Sequence, residues 1–224
     1  MKNKYLKGAH ISERKMSELL ELFSRDLTAT QIAALIGVSR ITTNAYFKLL
    51  RKHIATFCEQ KNPLDSKHDP IEEPTKAVSA GKGILRKCLY GISISQDFVY
   101  TRRLPHAEYD LVYECLKKEP EADHPVIRNF NLQVYRGIVD FNTFSLFPLK
   151  HKRHESTTFG FAENQPEEFW RMLKSRIIKF RGLNSSTLYL HVKETEFRYN
   201  YRNEDIYGLL LGIIQSKPLH LSRA

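Results

Sequence analysis

The sequence predicts an α/β protein in two parts, a small three-helix unit at the N-terminus and an α/β domain that ends in helices. Three observations lead there. Helical periodicity runs through residues 11–60 around a glycine-centred turn, a proline- and glycine-rich stretch interrupts it at 61–83, and β-favouring runs then give way to amphipathic helices.

The first helix is expected to be capped by Ser12, with Leu19, Leu20, Leu22 and Phe23 inward. A short second helix lies within Leu27–Ile36. Gly37 then suits the left-handed position that ends a helix, and Ser39 the cap of the next. The third helix, from Arg40 to about Cys58, places Tyr46, Phe47, Leu50 and Ile54 on a buried stripe by their i, i+3/4, i+7/8 spacing.

The run Thr28-x-x-Gln31-Ile32-Ala33-x-Leu35-x-Gly37-Val38-Ser39 keeps the small residue, turn glycine and cap of a helix-turn-helix in register. Arg40, Thr42, Asn44, Lys48 and Arg51 are assigned to the outer face of its third helix, and with Thr43 and Lys52 they are the residues expected to contact DNA. Amide, guanidinium, ammonium and hydroxyl groups on one helix face suit a major groove, where they meet adenine, guanine and phosphate. The same face on a bundle that binds nothing would merely be solvated. Charge weighs against that, because residues 1–60 hold ten Lys and Arg against five Asp and Glu.

Across 224 residues the chain carries 35 Lys and Arg against 25 Asp and Glu, a formal +10, which favours a polyanionic partner. With 42% hydrophobic residues it has material for two cores. Cys58, Cys88 and Cys115 show neither CxxC nor Cys-His spacing, so neither a disulfide framework nor structural zinc is expected. No apolar run approaches the roughly 20 residues of a membrane helix, and no leader is recognisable, so a cytoplasmic, nucleoid-associated protein without membrane contact is expected.

Residues 61–83 read as a linker. Beyond it, Leu85–Ser95 and Phe98–Leu104 form a hairpin turning at Gln96-Asp97, and residues 107–118 a helix with Leu111, Val112, Cys115 and Leu116 inward. Pro125-Val126-Ile127 and Gly137-Ile138-Val139 read as short strands or strand ends, and Phe141–Ser156 resists assignment. Pro166, Glu167 and Glu168 suit a helix start, with Phe169, Leu173, Ile177 and Phe180 as its stripe. Helices at about 186–201 and 204–215 complete an α/β core covered on both faces, so the domains are 1–60, 61–83 as linker, and 84–224.

Several runs together resemble one family. They are Tyr5-Leu6 to Arg14 with the helix-turn-helix; Tyr90-Gly91 with Val99-Tyr100-Thr101; Tyr135 with Gly137-Ile138-Val139-Asp140; Asn164 with Glu167, Phe169-Trp170 and Lys174; and Leu190-His191, Lys193-Glu194, Glu196-Phe197-Arg198 and Asn200. These are similar to transposases of small bacterial insertion sequences, which carry an Asp-Asp-Asn-Lys variant of the DDE signature on an RNase H-like fold. The resemblance implies two metal ions held by carboxylates.

The sequence departs from that pattern at both aspartates. The first belongs on a strand before Tyr90, where the linker offers only Asp65, Asp69, Glu72 and Glu73. The second, counted back from Tyr135 and Gly137, falls on Phe130, whose ring cannot ligate Mg²⁺. Asn164, Glu167 and Lys174 match the third motif and are expected to be vestigial. His151 and His154 sit in a basic loop better suited to phosphate than to zinc.

The resulting expectation is a degenerate, domesticated transposase that binds double-stranded DNA as a homodimer. It would have no cofactor, metal or catalysis, and would act as a transcriptional regulator or DNA-architectural factor. Two alternatives stand beside it: an active transposase with shifted carboxylates, and a protein-interaction module with secondary DNA binding.

Overall fold

A computed structural model of the chain describes residues 6–7, 11–64, 88–104, 109–151, 164–180, 183 and 185–220. The elements in chain order are β1 (Leu6–Lys7), α1 (Glu13–Ser24), α2 (Ala29–Ile36), α3 (Arg40–Lys61), β2 (Leu89–Ser95), β3 (Phe98–Arg103), α4 (Tyr109–Leu116) and α5 (Pro125–Asn129). A 3-10 turn (Leu132–Val134) precedes β4 (Gly137–Asp140), β5 (Ser145–Pro148), α6 (Gln165–Lys179), α7 (Ser185–Asn200), α8 (Ile206–Ser216) and β6 (Leu219–His220). The chain is mixed α/β and divides into two compact units, one from residues 1–61 and 201–224, the other from 62–200.

In the first unit the local chemistry sets each boundary. Ser12 caps α1 by accepting from the Lys15 amide. Thr28 and Gln31 form a capping box at the start of α2, and Gly37 closes that helix at φ 62°, ψ 47° in the left-handed region. Ser39 Oγ then accepts from the Thr42 amide at 3.0 Å to open α3. Met16, Leu19, Leu20 and Phe23 of α1, Ile32 and Ile36 of α2, and Tyr46, Phe47, Leu50 and Ile54 of α3 supply the core. Phe23 meets Phe47 edge to face, their ring centres 4.8 Å apart.

The same unit recruits the C-terminal segment, which the sequence assigns to the second domain. Helix α8 packs on α1 and α3, Ser17 Oγ lies 2.8 Å from Tyr207 Oη, and β6 pairs in parallel with β1. The reason is apolar demand. Leu210 and Ile214 of α8 need a partner face, and the α1–α3 bundle provides one far away in sequence.

The second unit is built on a four-stranded sheet in the order β3-β2-β4-β5, with every pairing antiparallel. Gln96 and Asp97 both take positive φ, 50° and 64°, as a two-residue hairpin requires. Alternation along the strands gives two cores. Tyr90, Ile92, Val99, Val139 and Phe141 pack with Phe169, Trp170, Leu173 and Ile177 of α6 and Leu188, Val192 and Tyr199 of α7. Leu89 and Ile138 pack on the other face with Val112, Cys115 and Leu116 of α4 and Ile127 of α5. Both faces are therefore covered, as expected. Gly91 is required for packing, because a Cβ there would run into the Tyr135 ring.

Several expectations are corrected. Pro125–Asn129 is helical and not a strand: His124 accepts from the Val126 amide as N-cap and Pro125 occupies the first turn, both of which start helices. Leu111 points outward at 51% exposure, its place in the core taken by Tyr109. Phe180 ends α6 half-buried, beyond the stripe of Phe169, Leu173 and Ile177. Pro166, Glu167 and Glu168 do lie in the first turn of α6, preceded by Asn164, whose side chain makes no capping bond. Strand β5 lies in the stretch left unassigned, while residues 65–87, which include most of the expected linker, fall outside the described residues.

Candidate nucleic-acid interface

Helix α3 carries the charged residues expected to meet DNA, and its periodicity sorts them into two rows. Arg40, Asn44, Lys48, Lys52 and Thr56 follow one another at i, i+4 and all are exposed. Thr43, Phe47 and Arg51 form a neighbouring row that is buried. The first row is a polar edge with three cations and one amide; the second seats the helix.

Two of the residues expected to contact DNA therefore lie off the outer face. Thr43 is fully buried and donates its hydroxyl to the Ser39 carbonyl at 3.1 Å. Arg51 is 8% exposed, with its guanidinium 5.2 Å from the centre of the Phe47 ring and 6.0 Å from that of Phe23. Thr42 is half-buried, its hydroxyl 2.8 Å from Ser39 Oγ, so it serves the cap. Arg40, Asn44, Lys48 and Lys52 keep the exposure a DNA contact requires. Ile41 and Ala45, which sequence reasoning passed over, share that surface, Ile41 at 84% exposure.

The turn before α3 is held from outside the helix pair. Lys15 Nζ of α1 donates to the Gly37 carbonyl at 3.3 Å, fixing the left-handed corner that sets the direction of α3. The third helix thus leaves a rigid turn with its first residues, Arg40 and Ile41, exposed.

The residues tied to catalysis by resemblance are placed in the second unit. Phe130 is the C-cap of α5 and packs, partly buried, against the cluster of Ile127, Leu132 and Tyr135. It does not stand at a strand end, which corrects the strand geometry expected there; Asn131 beside it is left-handed at φ 53°. Asn164 is exposed. Glu167 is half-buried, and its Oε2 has no hydrogen-bond partner. Lys174 Nζ lies 5.8 Å from the centre of the Trp170 ring and donates to the Phe144 carbonyl at 3.5 Å. Asp65, Asp69, Glu72, Glu73 and His154 lie outside the described residues.

A carboxylate at a strand end does exist, and it is occupied. Asp140, fully buried at the end of β4, accepts from Tyr109 Oη at 3.0 Å, Thr143 Oγ1 at 2.8 Å and the Asn142 amide at 2.8 Å. Burial first, and then the bond to Asp140, push the Tyr109 phenol well above its ordinary pKa. The signal for this turn was legible as Asp140-x-Asn142-Thr143, an Asx-type spacing. His151 Nε2 lies 2.9 Å from the Tyr135 carbonyl, and burial lowers the pKa of its ring. Among the described residues no group of three His, Cys, Asp or Glu side chains is placed to hold a metal ion.

Sequence reasoning also missed a buried ionic cluster on α7. Lys193 donates to the Thr101 carbonyl at 2.7 Å and to Glu196 Oε2 at 3.0 Å, and the same oxygen accepts from the Thr101 amide at 2.9 Å. Glu194 pairs with Arg176 and Arg198, each at 2.9 Å. These residues tie α7 to β3 and α6. The family resemblance covers them, but nothing in their spacing marks them as interior.

Comparison with known proteins adds one distant relative. A transposase-like protein of Haemophilus influenzae, itself described as uncharacterized, is 24% identical over 102 residues, which span 46% of this chain and 80% of that protein. No family model matches the chain, and no solved structure matches it. Among the described residues no helix is long and apolar enough to cross a membrane.

Proposed function

We propose that this chain is a sequence-specific double-stranded DNA-binding protein of transposase descent, catalytically inactive, acting as a homodimeric, nucleoid-associated transcriptional regulator or DNA-architectural factor. The α1–α3 unit is its helix-turn-helix, and residues 62–200 form a degenerate RNase H-like domain. The observation that carries the reading is the exposed row Arg40, Asn44, Lys48 and Lys52, displayed by a helix whose other side is sealed by Tyr46, Phe47, Leu50 and Arg51. A face of one charge sign with an amide near its N-terminal end supplies both phosphate contacts and a base reader. The surplus of positive charge and the transposase-like relative point the same way.

The test is selection of bound duplexes from a randomised library by the purified full chain, followed by affinity measurements over a range of salt. An enriched motif is expected, with log K falling by about 0.9 per neutralised phosphate against log[salt]. A library that yields no motif, or an affinity indifferent to salt, overturns the reading.

A further inference from the structure

Within the DNA-binding reading, and resting on it, we propose that Ile41 is a specificity residue that reads thymine through its C5-methyl group. Ile41 is 84% exposed, the most exposed large apolar side chain among the described residues. It occupies the second position of α3, beside Arg40 and one turn before Asn44 and Ala45. Folding gains nothing from an isoleucine there, because the buried row of the helix runs through Thr43, Phe47 and Arg51 on another side.

The surroundings select the occupant. Arg40, Lys48 and Lys52 are exposed cations on the same surface, which attract a polyanion and disfavour an apolar protein patch. In the major groove the thymine methyl is the apolar feature of a base edge, and apolar side chains contact it there. The first residues of a recognition helix are those that reach base edges. Ala45, exposed one turn further on, adds no bulk that would hold the helix away from the groove floor. Arg40 and Asn44 flank Ile41 with groups suited to guanine and adenine, so a thymine reader completes a short mixed readout.

The experiment uses the full chain and the duplex it selects, with each thymine replaced in turn by uracil, which removes the methyl and leaves the hydrogen-bonding edge intact. At one position per site, uracil is expected to weaken wild-type binding about four-fold, the equivalent of one buried methyl. In Ile41→Ala, uracil at that position is expected to be silent, while thermal unfolding is unchanged because the side chain is solvated. Equal binding of every uracil duplex by the wild type overturns the inference while leaving DNA recognition standing. So does an Ile41→Ala variant that keeps full discrimination, or one whose effect is a change of oligomeric state. Failure to select any duplex removes the DNA-binding reading itself, and this inference with it.

Discussion

The guanidinium of Arg51 lies over the Phe47 ring, 5.2 Å from its centre, inside the core that seats α3. An arginine in this place contributes packing and a desolvated cation–π contact, and does not present its charge on the exposed edge of the helix. Arg51→Ala is therefore expected to lower unfolding free energy by about 2 kcal/mol and to leave the salt dependence of DNA binding unchanged. Lys48→Ala should do the reverse, flattening the slope of log K against log[salt] by about one unit with no loss of stability. Urea denaturation and a salt titration of each variant separate the two roles. A flattened slope in Arg51→Ala would return that residue to the interface.

Base discrimination should reside in Arg40 and Asn44. Each is exposed at the start of α3, and each presents a group able to make paired hydrogen bonds, to guanine and to adenine respectively. Alanine at either position is expected to cost about 1–3 kcal/mol on the selected duplex and to relax preference at one base pair. Unchanged preference in both variants would mean that another side of α3 enters the groove.

The three-helix unit was legible because its signals are local. Ser12, Gly37 and Ser39 each act within four residues and occupy the caps and turn their spacing indicates, and the capping box of Thr28 and Gln31, visible only in the structure, is equally local. What was not legible depends on partners distant in sequence. Helix α8 reads as one more C-terminal helix until α1 and α3 are seen to need an apolar cover, and Pro125-Val126-Ile127 has the β-branched content of a strand until His124 caps it. Arg51 leaves its expected face for a related reason: its charge suggests the surface, while its i+4 relation to Phe47 and i+8 relation to Thr43 put it on the buried row. Period outweighs residue type here.

Burial of Glu196, only partly offset by Lys193, makes stability depend on pH with a definite sign. Glu196 is buried, and desolvation raises its carboxyl above the usual glutamate range despite Lys193 and Thr101. A raised folded pKa means that the native state holds its proton more tightly than the unfolded chain. This contribution is complete below the unfolded pKa of about 4.3 and is lost as pH rises through the folded value, at no more than about 1.4 kcal/mol per pH unit. The difference in unfolding free energy between wild type and Glu196→Gln, followed from pH 4 upward, should show that decline in the wild type alone. Lys193→Met should cost up to about 3–5 kcal/mol, because it strips the cation from a buried acid. A Lys193→Met variant as stable as wild type would place this pair in water.

Catalytic silence is the prediction that separates this chain from an active transposase. Two-metal chemistry needs carboxylates converging at adjoining strand ends. In the register that the resemblance implies from Tyr135 and Gly137, the second of them would fall on Phe130, whose backbone N–H caps α5 and whose ring packs on the cluster of Ile127 and Leu132. Asp140, which does end a strand, is committed to three donors from Tyr109, Asn142 and Thr143. Lys174 lies over Trp170 and bonds to the Phe144 carbonyl, a structural use of a residue that the resemblance gives to DNA chemistry. The purified chain, supplied with Mg²⁺ or Mn²⁺ and its selected duplex, is expected neither to nick nor to join it. Phe130→Asp should lose about 1–2 kcal/mol of stability through its lost apolar burial and still fail to cleave, since it restores one ligand of a set. Metal-dependent cleavage by the wild type that disappears in Asn164→Ala, Glu72→Gln or Glu73→Gln would make this an active transposase with displaced carboxylates.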